Sequence, residues 1–342
     1  MHNGATGSNA STIGIEALGE FWRDRMAGQS VCRWRADRDL ALMNALGIGL
    51  HQCLVFLYGQ RPSFADFERW IVATAGLPVE ATVSRFNAAM DAAKMSREVQ
   101  RQLAQITAAA PVLTPEALQH WQARGYLVLR QAISKAQADV AAEAVWHTLQ
   151  ASPNDADSWY GRANGIMVEL IQHPALRAIR GSARIRKAFS QLWGSADLWP
   201  SADRCSFHPP QRPGWPFPGP DLHWDLDLSQ PLRFATQGLV YLTDTPPEQG
   251  ALTLVPGFQH RLADWLAALP AGVDPQQQDL HELGSIPVPA QAGDMVIWHA
   301  ALPHGSRPNL GRMPRLVQYL NLAPIDIDAA QSSLGVAAGG FS

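Results

Sequence analysis

The 342-residue sequence predicts an α+β protein: a jelly-roll core with flanking helices, preceded by a helical N-terminal region. Three observations carry this. Residues 13–110 place apolar side chains at helical spacing and show no strand-like alternation of any length. From residue 196 the texture changes to short alternating runs separated by proline and glycine turns. Roughly eight such runs, counting one at 126–130, suit two antiparallel sheets packed as a jelly roll.

Taken in order, residues 1–12 are small and polar and read as disordered. Ile15, Leu18, Phe21, Trp22 and Met26 recur at helix spacing. So do Leu40, Met43, Leu46, Leu50, Cys53, Leu54 and Leu57. Ser63 and Asp66 make a capping-box-like start for a helix carrying Phe67, Trp70 and Ile71. Helical runs follow at 79–93 and 96–109. Thr114 caps the next helix, with Pro115 at its first position and Gly125 placed to end it after Arg124. A strand at 126–130 precedes a helix that starts at Ser134 and runs to about 149. Helical patterns return over 165–193. There Arg177, Arg180, Arg184, Arg186 and Lys187 read as a solvated basic face, with phosphate or coenzyme A binding as the alternative. Strands are expected at 204–208, 221–227, 235–243, 250–255, 285–289, 294–299 and 314–322, with a helical insert at 262–269. The chain thus divides into 1–12, a helical region 13–110, a core 111–324 and a loose Ala/Gly/Ser-rich tail 325–342.

A formal net charge of −3 gives no basic surface for nucleic acid or an anionic membrane. Cys32, Cys53 and Cys205 are odd in number and form no CxxC pair, so a reducing, cytoplasmic setting is expected. No signal peptide is visible, and the apolar stretch 40–58 is too polar to span a bilayer.

The chemistry concentrates at His223-Trp224-Asp225. On a strand, residues two apart face the same side, so His223 and Asp225 can share one ion. An HxD pair alone is a weak signal. His304-Gly305-Ser306 answers it downstream, and Arg315 lies 11 residues after His304. Two imidazoles and a carboxylate suit Fe(II) with positions left open. On the residues alone, His299 rivals His304, and Arg307 and Arg312 rival Arg315. Asp221 and Asp227 flank the pair at strand spacing. Gln237, Leu239 and Tyr241 share a strand face and line the cavity if that face is inward; Arg204 lies on a neighbouring strand. His260 reads as a structural hydrogen-bonding residue.

With its surroundings, this pattern resembles the phytanoyl-CoA dioxygenase family of Fe(II)/2-oxoglutarate oxygenases. The resemblance covers about 112–324. It rests on the approach from Leu113 to Gly125, the HxD pair, Gly250 to Gly257 and His260, the Gly293-Asp294 turn, His304-Gly305-Ser306 with Pro308-Asn309, and Arg315. It implies a double-stranded β-helix. It also implies that His223, Asp225 and His304 are the catalytic iron ligands, with Arg315 on the far carboxylate of 2-oxoglutarate and Ser306 beside it. The implied reaction uses O2 to hydroxylate an unactivated C–H of a lipid-like or secondary-metabolite substrate, releasing succinate and CO2. Asp225 matters here, because halogenating relatives carry a small residue in its place. The resemblance leaves region 13–110 without a counterpart. A dimer interface, a pocket wall or a carrier-protein docking surface are its open roles. Two other classes stay in view: a cupin-like metalloenzyme without 2-oxoglutarate, and a non-catalytic binding protein with a vestigial metal site. The first gives no reason for Arg315, and the intact triad argues against the second.

Overall fold

The computed structural model describes residues 11–29, 33–89 and 95–327. Residues 1–10 and 328–342, where the sequence suggests loose termini, lie outside the described residues, as does Cys32.

Helices dominate up to residue 124: α1 (Ala17–Met26), α2 (Arg33–Ala45), α3 (Leu50–Gln60), α4 (Phe64–Ala75), α5 (Glu80–Ala88), α6 (Arg97–Ala108) and α7 (Pro115–Arg124). Ser63 caps α4 and Thr114 caps α7 through their side-chain oxygens, and Gly125 ends α7 in the left-handed region. The apolar run 40–57 is not one helix. Gly47 takes φ +68° and Gly49 is extended, so α2 and α3 meet at a 96° corner. Leu18, Phe21, Leu42, Leu57, Phe67 and Ile71 bury the inner faces of these helices, and Trp199 from the later chain joins them. No single helix among the described residues is long and apolar enough to cross a membrane.

The remaining elements are β1 (Tyr126–Leu129), α8 (Lys135–Thr148), β2 (Met167–Val168), α9 (Pro174–Arg180), α10 (Ala183–Trp193), β3 (Trp199–Pro200), β4 (Cys205–His208), β5 (Thr236–Tyr241), β6 (Leu252–Leu254), α11 (Leu262–Ala268), β7 (Ile286–Val288), β8 (Met295–His299), β9 (His304–Gly305), β10 (Arg315–Tyr319) and β11 (Leu322–Ala323). They form a six-stranded sheet, β1-β8-β5-β10-β4-β2, a three-stranded sheet, β7-β6-β9, and a β11-β3 pair. Every pairing is antiparallel. The chain is therefore a mixed helix and antiparallel-sheet protein.

Period-two alternation sorts the large sheet's side chains. Val240, Leu242, Met295, Ile297 and Leu316 pack under helices α7 to α10. Leu239, Tyr241, Val296, Trp298 and Val317 face the smaller sheet and meet Leu252, Leu254 and Val288 there. Each such buried aliphatic side chain contributes about 1.5–3 kcal/mol.

Two expectations need correction. The segment 221–227 forms no strand; only His223 makes a β-bridge, to His304. Its backbone groups are taken by side chains instead. Asp221 Oδ1 accepts from Leu222 N at 2.8 Å, and Gln276 both accepts from Trp224 N (3.1 Å) and donates to Trp224 O (2.8 Å). Asp227 Oδ1 accepts from Ser229 N at 3.0 Å. Carboxylate and amide side chains placed this way compete with a strand ladder.

The basic cluster at 177–187 is only partly a solvated face: Arg177 and Arg184 are exposed, whereas Arg180 and Lys187 are buried. Arg180, 8% exposed, donates to the carbonyls of Ile171 and Asp203, and burial pushes its guanidinium down to about 10. Lys187 donates to the carbonyls of Ile106 and Thr107 at the end of α6, and Arg177 to that of Ala75 at the end of α4. Lys187 and Arg177 thus satisfy helix C-termini and tie the helical region to the core.

Candidate metal centre

His304 stands on β9, whose residues pair with β6, and its backbone exchanges two 3.0 Å hydrogen bonds with His223. This bridge brings the irregular segment 221–225 against the small sheet. Gly305 permits the approach, because a Cβ there would collide with the Asp221 carbonyl. Although 221–227 is no strand, its alternation still separates two sides. Leu222 and Trp224 are buried in the inter-sheet core, and Trp224 Nε1 donates to Ala301 O at 2.9 Å. His223 and Asp225 turn the other way, into a cavity of about 210 Å3.

One ligand atom from each of His223, Asp225 and His304 lies within 4.8 Å of the other two. His223 Nε2 is 3.4 Å from Asp225 Oδ1, and His304 Nε2 is 3.3 Å from Asp225 Oδ2. The far nitrogens are occupied: His223 Nδ1 contacts Asp221 O at 2.7 Å, and His304 Nδ1 contacts Leu302 O at 3.1 Å. A carbonyl can only accept, so each Nδ1 carries a proton, and each Nε2 is the ring atom left facing the centre, available to a metal once it gives up its own proton. Behind Asp225, Gln237 Nε2 donates to Oδ2 at 2.5 Å and is itself oriented by Trp298 Nε1 at 3.0 Å. The imidazoles bonded to Asp225 hold its carboxyl far below the usual range. That same bond raises the His223 imidazole, against the opposing effect of burial.

Arg315 enters the cavity from β10, opposite His208 of β4. It is 1% exposed; one terminal nitrogen donates to Gly250 O (2.5 Å), the other to Ser306 Oγ (3.0 Å), and Nε has no partner. No carboxylate among the described residues pairs with it. A buried guanidinium without a counter-ion is a ready receptor for an anion. Gly250, at φ +66°, keeps this corner open: a Cβ would lie 2.7 Å from the His208 ring.

The rivals fall elsewhere. His299 shares the helix-covered face of β8 with Met295 and Ile297, beside Trp121 and Phe234, and burial pushes its imidazole down to about 4. Arg307 donates to Thr253 Oγ1 and Arg312 is exposed. Asp221 pairs with His281 Nε2 at 2.8 Å, and Asp227 closes a local turn. His260 contacts Gln122 O at 2.8 Å. Of the β5 face, Gln237 and Leu239 reach the cavity, while Tyr241 Oη donates to Val288 O in the core. Arg204 lines the cavity, and so do Asp203 and Asn321, which carried no recognisable signal in the sequence.

The donor set fits a divalent first-row metal: two imidazoles and one carboxylate on one side, with cavity on the other.

No curated protein matches the chain. Among solved structures, HygX from Streptomyces hygroscopicus with nickel and 2-oxoglutarate bound is similar at 19% identity and TM-score 0.47, over 63% of this chain and 88% of that one. SnoK, a non-heme alpha ketoglutarate dependent carbocyclase from nogalamycin biosynthesis, is similar at 18% identity and TM-score 0.44, over 63% and 87%. EctD from S. alaskensis in its apoform is similar at 19% identity and TM-score 0.44, over 63% and 82%. Such distant likenesses assign no activity. The profile of the phytanoyl-CoA dioxygenase family, in contrast, matches residues 80–317, most of the chain. On that match, the chain belongs to the phytanoyl-CoA dioxygenase family.

Proposed function

We propose that this chain is an Fe(II)/2-oxoglutarate-dependent dioxygenase that hydroxylates a C–H of a small-molecule substrate. The supporting observation is the pairing, in one cavity, of the His223–Asp225–His304 trio with a buried arginine that lacks a counter-ion. When bound, iron supplies the redox chemistry that couples O2 and the oxidative decarboxylation of 2-oxoglutarate to oxygen insertion, with succinate and CO2 released.

The chain's own residues set the geometry. His223, Asp225 and His304 hold the metal, the Leu302 and Asp221 carbonyls aim the two Nε2 atoms, and Gln237 steadies the carboxylate. Arg315 receives the far carboxylate of 2-oxoglutarate, and Ser306 positions the guanidinium and offers its hydroxyl beside it. Leu239, Leu252 and Trp298 give the cavity apolar walls that exclude water from the reacting centre. The presence of Asp225 favours hydroxylation over halide transfer. In this reading the two facing sheets are the halves of a double-stranded β-helix spanning 111–324. Cys53 and Cys205, whose burial pushes both thiols up to about 12, suit a cytoplasmic setting.

The test is turnover of labelled 2-oxoglutarate to succinate across a substrate panel, in wild type and His223→Ala. We expect substrate-stimulated succinate in wild type only. Equal turnover in His223→Ala would remove the trio from the reaction.

A further inference from the structure

We propose that the active-site cavity continues into a second binding compartment against the helical N-terminal region. Its ligand is the distal part of a two-part substrate: a hydrogen-bond-donating group read by Asp203, then an apolar, ring-sized end. This rests on the metal trio being the reaction centre.

Asp203 and Arg204 line both the 210 Å3 cavity and a second one of about 200 Å3. The second is walled by Leu40 and Asn44 of α2, Leu50 and Gln52 of α3, and Ile171. It exists because α2 and α3 turn 96° at Gly47–Gly49 instead of continuing as one helix. At the base of the corner, a Cβ on Gly49 would lie 2.8 Å from Ile171 Cδ1.

The side-chain amides of this wall are engaged within the protein. Asn44 Oδ1 accepts from Ala202 N at 2.9 Å, and Gln172 Nε2 donates to Gly47 O (3.0 Å) and Gln52 Oε1 (2.9 Å). Apolar wall is offered by Leu40, Leu50 and Ile171; the rest of the lining includes the exposed His51, Glu169, which is paired with Arg204, and Ser201, whose Oγ accepts from Asn321 N. An apolar cavity of about 150 Å3 accepts a benzene ring, so this one holds a ring with room to spare.

The junction is polar. Arg204 is paired with Glu169 at 3.3 Å and approaches Asp203 Oδ1 at 3.7 Å. Asp203 Oδ1 accepts from Arg204 N at 2.7 Å, and Arg180 donates to the backbone carbonyl of Asp203 rather than to its carboxylate. Among the described residues Asp203 Oδ2 has no hydrogen-bond partner, and the side chain is 46% exposed, so this oxygen is open to a ligand. A ligand N–H or O–H can take the place of water on that oxygen. An acid there would face both Asp203 and Glu169.

Full-length protein loaded with Mn(II) and 2-oxoglutarate, and metal-free protein beside it, is titrated by calorimetry with tryptamine and with indole-3-acetate. These share a ring and differ in donor against acid. We expect tryptamine to bind at least tenfold more tightly than indole-3-acetate. Leu40→Trp fills the compartment from a position 42% exposed, where the fold tolerates it, and weakens tryptamine at least tenfold without lowering the thermal midpoint. Asp203→Asn narrows the gap between the two probes. Absence of tryptamine binding, equal binding of both probes, or unchanged binding in Leu40→Trp would overturn the proposal. If wild type takes tryptamine but neither Mn(II) nor 2-oxoglutarate, the metal reading fails and the compartment stands.

Discussion

The two histidines of the candidate metal centre stand on backbones of opposite kinds. His304 is 5% exposed and belongs to β9, paired along its length with β6. His223 belongs to the segment 221–235, which joins no ladder and meets the sheets through one bridge. Arg315 repeats the first pattern on β10, and Asp225, with its side chain 59% exposed, repeats the second. The sheets therefore preform the proposed anion receptor and the proposed distal ligand. The HxD half is held by side chains: Gln276 on Trp224, Gln237 on Asp225, and the bidentate Arg233–Asp37 pair (2.5 and 2.6 Å) that ties the segment to α2. Removing one such side chain is expected to loosen metal binding without unfolding the core.

The largest expected effect tests the preformed half. Arg315→Ala should weaken 2-oxoglutarate binding at least 100-fold, about 2.7 kcal/mol, while iron affinity stays within about threefold by calorimetry. Equal loss of both would place Arg315 in the metal frame and erase the division of roles. Next, Gln237→Ala frees Asp225 Oδ2 on the side-chain-held half. Iron affinity should fall about 10- to 100-fold, as for other outer-shell partners, with little change in melting temperature. Retained affinity would mean that Asp225 needs no support.

Asp37→Ala removes both hydrogen bonds to Arg233. We expect a loss of about 2 kcal/mol, and amide exchange that quickens over 226–235 while β9 stays protected. Equal acceleration in β9 would show that the halves are not independent. The smallest effect is expected of Gln276→Ala, which leaves Trp224 N and O to water. Urea unfolding should report a loss of about 1 kcal/mol. A loss above about 3 kcal/mol would make this amide a core element rather than a local brace.

The same contrast explains what was legible in the sequence. β5, β8 and β10 could be read because their alternation coincides with backbone pairing: one face packs under helices, the other between sheets. At 221–227 the alternation was equally clear, yet it reported only sidedness. Leu222 and Trp224 go inward and His223 and Asp225 toward the cavity, but the backbone bonds go to Asp221 and Gln276 side chains. Gln276 is 52 residues from Trp224, so no local pattern announces it. The α2–α3 corner was missed because the apolar spacing runs on across Gly47 and Gly49, and only the packing of Ile171 against Gly49 shows why the helix breaks. Asp203 was invisible for the same reason. Its role depends on which residues the fold brings beside it.

The central claim is that His304, with His223 and Asp225, holds iron beside the 2-oxoglutarate receptor. Anaerobic titration of Fe(II) and 2-oxoglutarate, followed by visible absorption, tests it directly. A weak charge-transfer band is predicted in wild type and in His299→Ala, and its absence is predicted in His304→Ala. A band that survives in His304→Ala, or none in wild type, contradicts the account.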